Sequence, residues 1–268
     1  MSSNPIDMTG NLHPDLFVTN IYYPENSSRT ERAPPLNRDA ALPHGNNFFV
    51  NDGTGNFTDQ AAEHGLEKGG WGWTATVGDF NNDGHLDIVQ TTTDVYWVEP
   101  YSETFGSLQL WRGTAETWDR LDSTAYGLAQ SNTYSVAQID YNNNGNLDLV
   151  VGTAPLGPTL RGSSQPFALF ENQRPVDDEY LQFFVRDPDV LDRNAAVYIE
   201  TDKRVIYRSP NSMGNFQTQD SRMVHVGLEH ETVEQVTILW PDGTESVYTD
   251  LKTGNRYILS QDDVEVVR

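Results

Sequence analysis

Residues 78–89 read G-D-F-N-N-D-G-H-L-D-I-V, and this stretch decides the fold. It joins a short loop rich in Asp, Asn and Gly, at positions 79–87, to a short apolar run. Residues 139–150 read I-D-Y-N-N-N-G-N-L-D-L-V and repeat the same order of residue types, 61 positions further on. A fainter copy ends in Asp15-Leu16-Phe17-Val18. One unit that recurs along a chain is the signature of a repeat architecture.

The repeated unit predicts an all-β fold. Each acidic loop runs into a short segment rich in β-branched residues and bounded by Gly, Asn and Asp, which is typical of a strand, and long helical periodicity is absent. A Gly-Leu pair recurs at 65–66 and 127–128. Short strands at regular spacing indicate blades of a β-propeller, and we count about three. A closed propeller needs about four to eight blades. The blades are therefore expected to be incomplete, as in a fragment, or to form an open array.

The character of the chain changes near residue 175. Residues 172–175 read N-Q-R-P and have the composition of a linker. We therefore predict a repeat region at residues 1–175 and a smaller β-sandwich-like domain at residues 176–268. Seven segments of the second region are expected to be strands: 181–185, 195–199, 204–207, 223–226, 233–240, 245–248 and 257–259.

The loop at 79–87 has the oxygen spacing of a calcium-binding loop, in which positions 1, 3, 5, 7 and 9 supply ligands and a glycine at position 6 permits the turn. The expected ligands are Asp79, Asn81, Asp83, the backbone carbonyl of His85, and Asp87, with Gly84 at position 6. An EF-hand would need a glutamate at position 12, where this chain has Gln90. All-oxygen ligands argue against zinc and copper.

The alternative for this loop is a polar turn without a metal, because Asn, Asp and Gly favour turns in any protein. We favour the metal on electrostatic grounds. Carboxylates about 5 Å apart repel one another by about 3 kcal/mol per pair at an effective dielectric constant of ~20, and a cation removes that cost.

A second loop, at 140–148, has two carboxylates where the first has three. Its expected ligands are Asp140, Asn142, Asn144, the backbone carbonyl of Asn146, and Asp148. This loop can hold a second calcium ion, and a metal-free turn is again the alternative. Residues 11–15 have no acidic residue before Asp15, so this copy is expected to be metal-free.

The charge of the chain excludes several classes of partner. With 39 acidic and 17 basic residues its formal net charge is -22, so phosphate-mediated binding to nucleic acid or to an anionic membrane surface is disfavoured. The acidic residues are spread along the chain, which suggests a protein that stays soluble in high salt, from a halophilic source. The chain has no cysteine. No apolar signal-peptide core or membrane-spanning run is present, so neither a signal peptide nor membrane insertion is expected.

These motifs resemble a known combination of domains. The stretch at 78–89 and the downstream F-V-N-D-G-T-G-N-F of residues 49–57 resemble the FG-GAP/VCBS repeat. The H-V-G-L of residues 225–228 and the I-L-W-P-D-G-T of residues 238–244 resemble the ASPIC/UnbV domain, although Glu229 stands where that family commonly has a glycine. The order of the two is similar to the cartilage acidic protein family. That resemblance implies a calcium-binding, adhesion-like protein at the cell surface or outside the cell.

Three functions follow from these observations. The first is a calcium-stabilised binding, adhesion or structural module whose partner is a protein or a surface glycan. The alternative is a carbohydrate-active enzyme, a lyase or hydrolase, for which the sequence indicates no catalytic residues. The third is a structural fragment without activity of its own. Trp71 and Trp73 could stack on a sugar, but we expect them to pack between blades.

Overall fold

A computed structural model describes residues 2–22, 45–93, 108–130, 132–153, 167–175, 179–186, 194–210 and 214–267. The described chain is all-β. Its strands form five small sheets in a propeller-like arrangement and one two-stranded hairpin, and one 3-10 turn lies at Ser123–Tyr126. In the part of the chain that is described, no helix is long and apolar enough to cross a membrane.

Three of the sheets lie in the repeat region, and each is an antiparallel meander with the strands in chain order. The first sheet contains β1 (Ser3–Ile6), β2 (Asp15–Val18), β3 (Asn47–Asn51) and β4 (Phe57–Asp59). The second contains β5 (Gly72–Gly78), β6 (Asp87–Thr92), β7 (Gln109–Gly113) and β8 (Trp118–Leu121). The third contains β9 (Thr133–Ile139), β10 (Asp148–Thr153) and β11 (Phe167–Phe170).

The repeated loops occupy the same place in all three sheets. Each one joins the first strand of its sheet to the second: residues 7–15 join β1 to β2, residues 79–87 join β5 to β6, and residues 140–148 join β9 to β10. The last aspartate of each loop is also the first residue of the second strand. The three loops are therefore structurally equivalent, as the repeat in the sequence predicts.

Packing between the sheets explains the apolar pattern of the strands. Phe17 and Phe48 of the first sheet share one buried cluster with Val77, Ile88 and Trp111 of the second. A second cluster joins the second sheet to the third. Strand β6 lies between these clusters and is buried along its whole length. Only Ile88 and Val89 of this strand are apolar, and its buried polar side chains have hydrogen-bond partners, as Gln90 does with Asn46 and the carbonyl of Gly69.

The C-terminal region, residues 179–267 of the described chain, adds two four-stranded sheets that bury one shared hydrophobic cluster. In chain order its strands are β12 (Tyr180–Val185), β13 (Ala196–Thr201), β14 (Val205–Arg208), β15 (Gly214–Asn215), β16 (Thr218–Gln219), β17 (Val224–Gly227), β18 (Val233–Leu239), β19 (Glu245–Thr249), β20 (Asn255–Leu259) and β21 (Val264–Val267). One sheet has the order β17-β12-β20-β21 and the other β14-β13-β18-β19. β12 and β20 pair in parallel, whereas the other pairs are antiparallel.

The strands of the C-terminal region agree with the prediction, whereas the number of sheets does not. Each of the seven segments predicted as strands in the C-terminal region contains a strand, and β15, β16 and β21 were not predicted. The count of about three blades was too low, because the described chain has five small sheets. The count followed the acidic-loop motif, and the C-terminal sheets lack that motif.

Candidate metal centre

The first aspartate of each repeated loop is held by backbone amides of its own loop. Asp79 accepts hydrogen bonds from the amide of Asp83 at 3.1 Å and from that of Gly84 at 2.8 Å. Asp140 accepts from the amides of Asn144 and Gly145 at 3.0 and 2.9 Å. Position 6 has a positive φ in both loops, 85° at Gly84 and 88° at Gly145, which a residue with a Cβ adopts only at a cost. The Asp and Gly positions of the motif are therefore two parts of one turn.

The last aspartate closes each loop. In loop 79–87, Asp87 accepts from the amide of Phe80 at 3.0 Å and, with its other oxygen, from the amide of Gly113 on the neighbouring strand at 2.8 Å. Asp148 makes the same pair of contacts, with Tyr141 at 3.1 Å and Asn172 at 2.7 Å. This carboxylate therefore ties its loop to the third strand of the sheet or to the residues that follow that strand.

Loop 7–15 also begins with an aspartate, Asp7, which the acidic-loop motif in the sequence did not reveal. Asp7 accepts from the amides of Asn11 at 3.1 Å and Leu12 at 3.0 Å, the same positions that contact Asp79 and Asp140. Asp15 accepts from Met8 at 3.0 Å and Asn51 at 2.9 Å, as Asp87 and Asp148 do in their loops. The signal was the spacing, because Asp7 and Asp15 stand eight positions apart as in both other loops. The resemblance to the other loops is weak because Leu12 takes position 6, where they have glycine, although it adopts the same kind of backbone with a φ of 68°.

Loop 79–87 concentrates negative charge in the protein interior. Asp79 is 1% exposed and Asp87 is 3% exposed. Burial, followed by the neighbouring charge of Asp83, raises the pKa of Asp79 to about 7. Burial, followed by the charge of Asp79, also raises the pKa of Asp87 well above its usual value. Among the described residues Asp79 has no ion-pair partner.

The other predicted ligands of loop 79–87 lie beside these carboxylates. The side-chain amide of Asn81 donates to Asp83 Oδ2 at 2.7 Å, and the backbone amide of His85 donates to Asp83 Oδ1 at 2.9 Å. Within the described ranges, no three His, Cys, Asp or Glu side chains come together as a group that could hold a metal ion. A metal in this loop would therefore depend on amide and carbonyl oxygens as well as on carboxylates.

The residues of loop 79–87 fit a calcium ion by their donor chemistry. The aspartate oxygens that accept backbone amides retain unused lone pairs, because a carboxylate has about four acceptor sites. The donors are oxygens throughout, which is the preference of calcium. A divalent cation would also neutralise the charges that raise the pKa values of Asp79 and Asp87.

Loop 140–148 differs because an arginine side chain already forms an ion pair with its first aspartate. The Arg256 guanidinium, on β20 of the C-terminal region, donates to Asp140 Oδ2 at 2.7 Å, and the Asp140 side chain is fully buried. Arg256 also contacts Asn143 at position 4 of the loop. The predicted ligands Asn142 and Asn146 donate with their side-chain amides to Glu171 and to the backbone oxygen of Arg174, both at 3.0 Å. The remaining ligand, Asn144, accepts from the amide of Asn146 at 2.9 Å.

A buried polar network connects the two loops through the C-terminal region. His225 Nε2 lies 2.8 Å from Asn82 Oδ1 of the first loop, and His225 Nδ1 lies 3.1 Å from Gln182 Nε2. Gln182 donates to Asp140 Oδ2 at 3.1 Å and accepts from Arg256 at 2.7 Å. His225 is therefore neutral, with its proton on Nε2 toward Asn82. Burial, followed by the charge of Arg208, lowers its pKa to about 3.

The glycine of the H-V-G-L motif lets the C-terminal region approach loop 79–87. A Cβ at Gly227 would lie 2.1 Å from Asp79 Oδ2 and 2.4 Å from the Cα of Asn82. The amide of Glu229, two residues further on, donates to the carbonyl of Asn82 at 3.3 Å. His225 and Gly227 of this motif therefore both contact the acidic loop.

The two tryptophans before loop 79–87 pack against other aromatic rings. The ring centroid of Trp73 lies 5.1 Å from that of Tyr134 on β9 and 5.3 Å from that of Phe216 in the β15–β16 hairpin. Trp71 lies 6.3 Å from Trp73. These contacts join the second sheet, the third sheet and the hairpin, in agreement with packing between blades.

The comparisons with known proteins identify both parts of the chain. The model of the FG-GAP-like repeat matches residues 7–89, and the ASPIC and UnbV model matches residues 192–266. The chain therefore contains an FG-GAP-like repeat region and, C-terminal to it, an ASPIC/UnbV domain. The first match begins at Asp7, the aspartate that the structure adds to the repeat. No curated protein matches the chain significantly. The predicted boundary near residue 175 stays a prediction.

The buried His225 predicts a dependence of stability on pH. Its pKa is about 3 in the folded chain and about 6.5 when exposed, so its contribution is present above pH ~6.5 and is lost as the pH falls toward 3. We expect His225→Gln to be less stable than wild type at pH 7.5. The difference in free energy of unfolding should shrink by up to about 1.4 kcal/mol per pH unit between pH 6 and 4.

Urea denaturation at each pH, with chelator present, measures this difference. His13→Gln, which removes an exposed histidine, is the control and should show no such trend. A difference between His225→Gln and wild type that stayed constant from pH 7.5 to pH 4 would contradict the neutral, buried assignment of His225.

Proposed function

We propose that the chain is a calcium-stabilised binding module in which loop 79–87 holds the ion. The observation that carries this proposal is the pair of buried carboxylates, Asp79 and Asp87, whose pKa values are raised by burial and then by a neighbouring carboxylate of the same loop, and which lack a cation at ion-pair distance among the described residues. Placing such charges in the interior is costly unless they are paired or bound to a metal. The ligands that calcium would use are Asp79, Asn81, Asp83, the carbonyl of His85, and Asp87.

Calcium in this loop would act through stability. An ion that binds only the folded chain stabilises it by mass action, by about 2.7 kcal/mol at a concentration 100 times its Kd. The ion would also stiffen the contact with the C-terminal region, because Asn82 and Asp79 touch His225 and Gly227.

The two loops should differ in their response to mutation. We expect calcium to raise the melting temperature of the wild type by roughly 5–10 °C at saturating concentration. Asp79→Ala should abolish most of this shift, whereas Asp140→Ala should retain more of it. Differential scanning calorimetry with and without calcium measures the shift. The exposed turn variant Asp242→Ala is the control. Equal shifts in the two loop variants, or no shift in the wild type, would refute the ranking.

The position of Arg256 leads to a prediction about the number of calcium ions that the chain binds. Because its guanidinium neutralises Asp140, calcium must displace it to enter loop 140–148. We expect isothermal titration calorimetry to give one calcium ion per wild-type chain and two for Arg256→Gln. Arg112→Gln breaks an exposed ion pair with Asp119 and serves as the matched control with one site. Two sites in the wild type, or one in Arg256→Gln, would show that Arg256 does not exclude the ion.

The binding role is supported by an exposed apolar face on the third sheet. Val150 and Leu169 are cross-strand neighbours on β10 and β11, and they are 36% and 46% exposed. Phe167, two residues before Leu169, is 65% exposed. Apolar side chains grouped on one face are typical of a surface that docks a partner. We propose a protein partner on this face and, from the family resemblance, a location at the cell surface or outside the cell.

An attachment assay tests this role. Beads coated with the chain should adhere to cell-surface material of the source organism in calcium and not in chelator. Leu169→Asp should reduce attachment by about fivefold or more, whereas Val247→Asp, an exposed substitution on β19, should leave it unchanged. Attachment that is blocked by free glycans and insensitive to Leu169→Asp would favour a glycan partner. Turnover of a polysaccharide without attachment would favour the carbohydrate-active enzyme.

A further inference from the structure

A cavity of about 140 Å³ lies where the three sheets of the repeat region meet the C-terminal region. Residues beside all three repeated loops line it, together with β14 and the segment that leads into β17. Part of its wall is apolar, formed by side chains such as Ile6, Val77 and Leu147. A cavity of roughly 150 Å³ in another protein holds a ligand as large as benzene, so this one can take a small organic molecule.

The cavity contains a buried guanidinium without a local counter-ion. Arg208 is 8% exposed and lines the cavity. One terminal nitrogen donates to the backbone oxygen of Tyr207 at 2.8 Å, but Nε has no hydrogen-bond partner. Within the described part of the chain, no carboxylate lies at ion-pair distance from Arg208. Asp7 and Asp79 act on it only through longer-range attraction. A buried guanidinium normally has a carboxylate or phosphate in its fork.

Another part of the cavity wall presents hydrogen-bond acceptors. Gln138 Oε1 is buried and has no hydrogen-bond partner, while its Nε2 donates to the carbonyl of Val77 at 3.2 Å. The Gln138 backbone amide donates to Asp220 Oδ1 at 3.0 Å, so the buried Asp220 carboxylate lies beside Gln138. Buried polar atoms are nearly always bonded, and two unpartnered atoms of opposite type in one cavity indicate a polar occupant.

We propose that this cavity binds a small free α-amino acid with a short aliphatic side chain. Its carboxylate would accept from the Arg208 guanidinium, its ammonium group would donate to Gln138 Oε1 and the Asp220 carboxylate, and its side chain would contact the apolar wall. A zwitterion supplies an acceptor and a donor within one small molecule. It also carries no net charge, so the strongly acidic chain does not repel it as it would a plain anion. The proposal does not depend on calcium.

Isothermal titration calorimetry of the full chain with L-alanine and L-valine tests the proposal, both in chelator and in calcium. We expect saturable binding in the millimolar range or tighter. Propionate lacks the ammonium group of alanine and ethylamine lacks its carboxylate, so each should bind at least about tenfold more weakly. L-Tryptophan should not bind, because it exceeds the cavity. Water alone in the cavity would give no heat with any of these compounds and would overturn the proposal.

Two variants test the assigned contacts. Arg208→Lys keeps the charge and loses the planar fork, and Gln138→Leu removes the acceptor; each should weaken L-alanine binding by about tenfold or more. Gln219→Leu, an exposed change outside the cavity, is the matched control and should bind as wild type. If Arg208→Lys fails to fold, as judged by circular dichroism, Gln138→Leu decides alone. Equal binding of propionate and alanine, or wild-type affinity in the folded variants, would disprove the assignment.

Discussion

The structure depends on the burial of one aspartate at the start of each repeated loop. Asp7, Asp79 and Asp140 are all buried, and each accepts backbone amides from positions 5 and 6 of its own loop. These hydrogen bonds fix the turn that joins the first two strands of each sheet. They do not remove the charge, so every loop must solve the same electrostatic problem.

The three loops solve that problem in different ways. Asp140 has the guanidinium of Arg256 at 2.7 Å. Asp7 and Asp79 feel the buried Arg208 at longer range. Asp79 in addition lies near the carboxylates of its own loop, Asp83 and Asp87, and this loop is the proposed site of calcium. The same loop motif is thus neutralised either by a proposed metal ion, in loop 79–87, or by an arginine of the C-terminal region, in loop 140–148.

The C-terminal region is therefore part of the site rather than an appendage. His225, Gly227 and Gln182 contact the loops directly. Because His225 has hydrogen-bond partners on both ring nitrogens, the loops and the C-terminal sheets are held in one arrangement. Arg208 belongs to the same region and lines the cavity between that region and the repeat sheets. The ASPIC/UnbV domain supplies the cations and the histidine, and the repeat region supplies the carboxylates.

The sequence by itself determined the all-β class, the repeat, the two kinds of domain and the local form of the loops, because these depend on residues close together in the chain. The Asp-to-Asp spacing and the Gly at position 6 specify a turn wherever they occur. The number of sheets and the pairing of Arg256 with Asp140 were decided by the tertiary structure. Arg256 lies 116 positions from Asp140, and no local pattern relates two charges at that distance. Only the approach of Arg256 on β20 to loop 140–148 brings them together, because burial makes a counter-charge necessary and the fold determines which one is within reach.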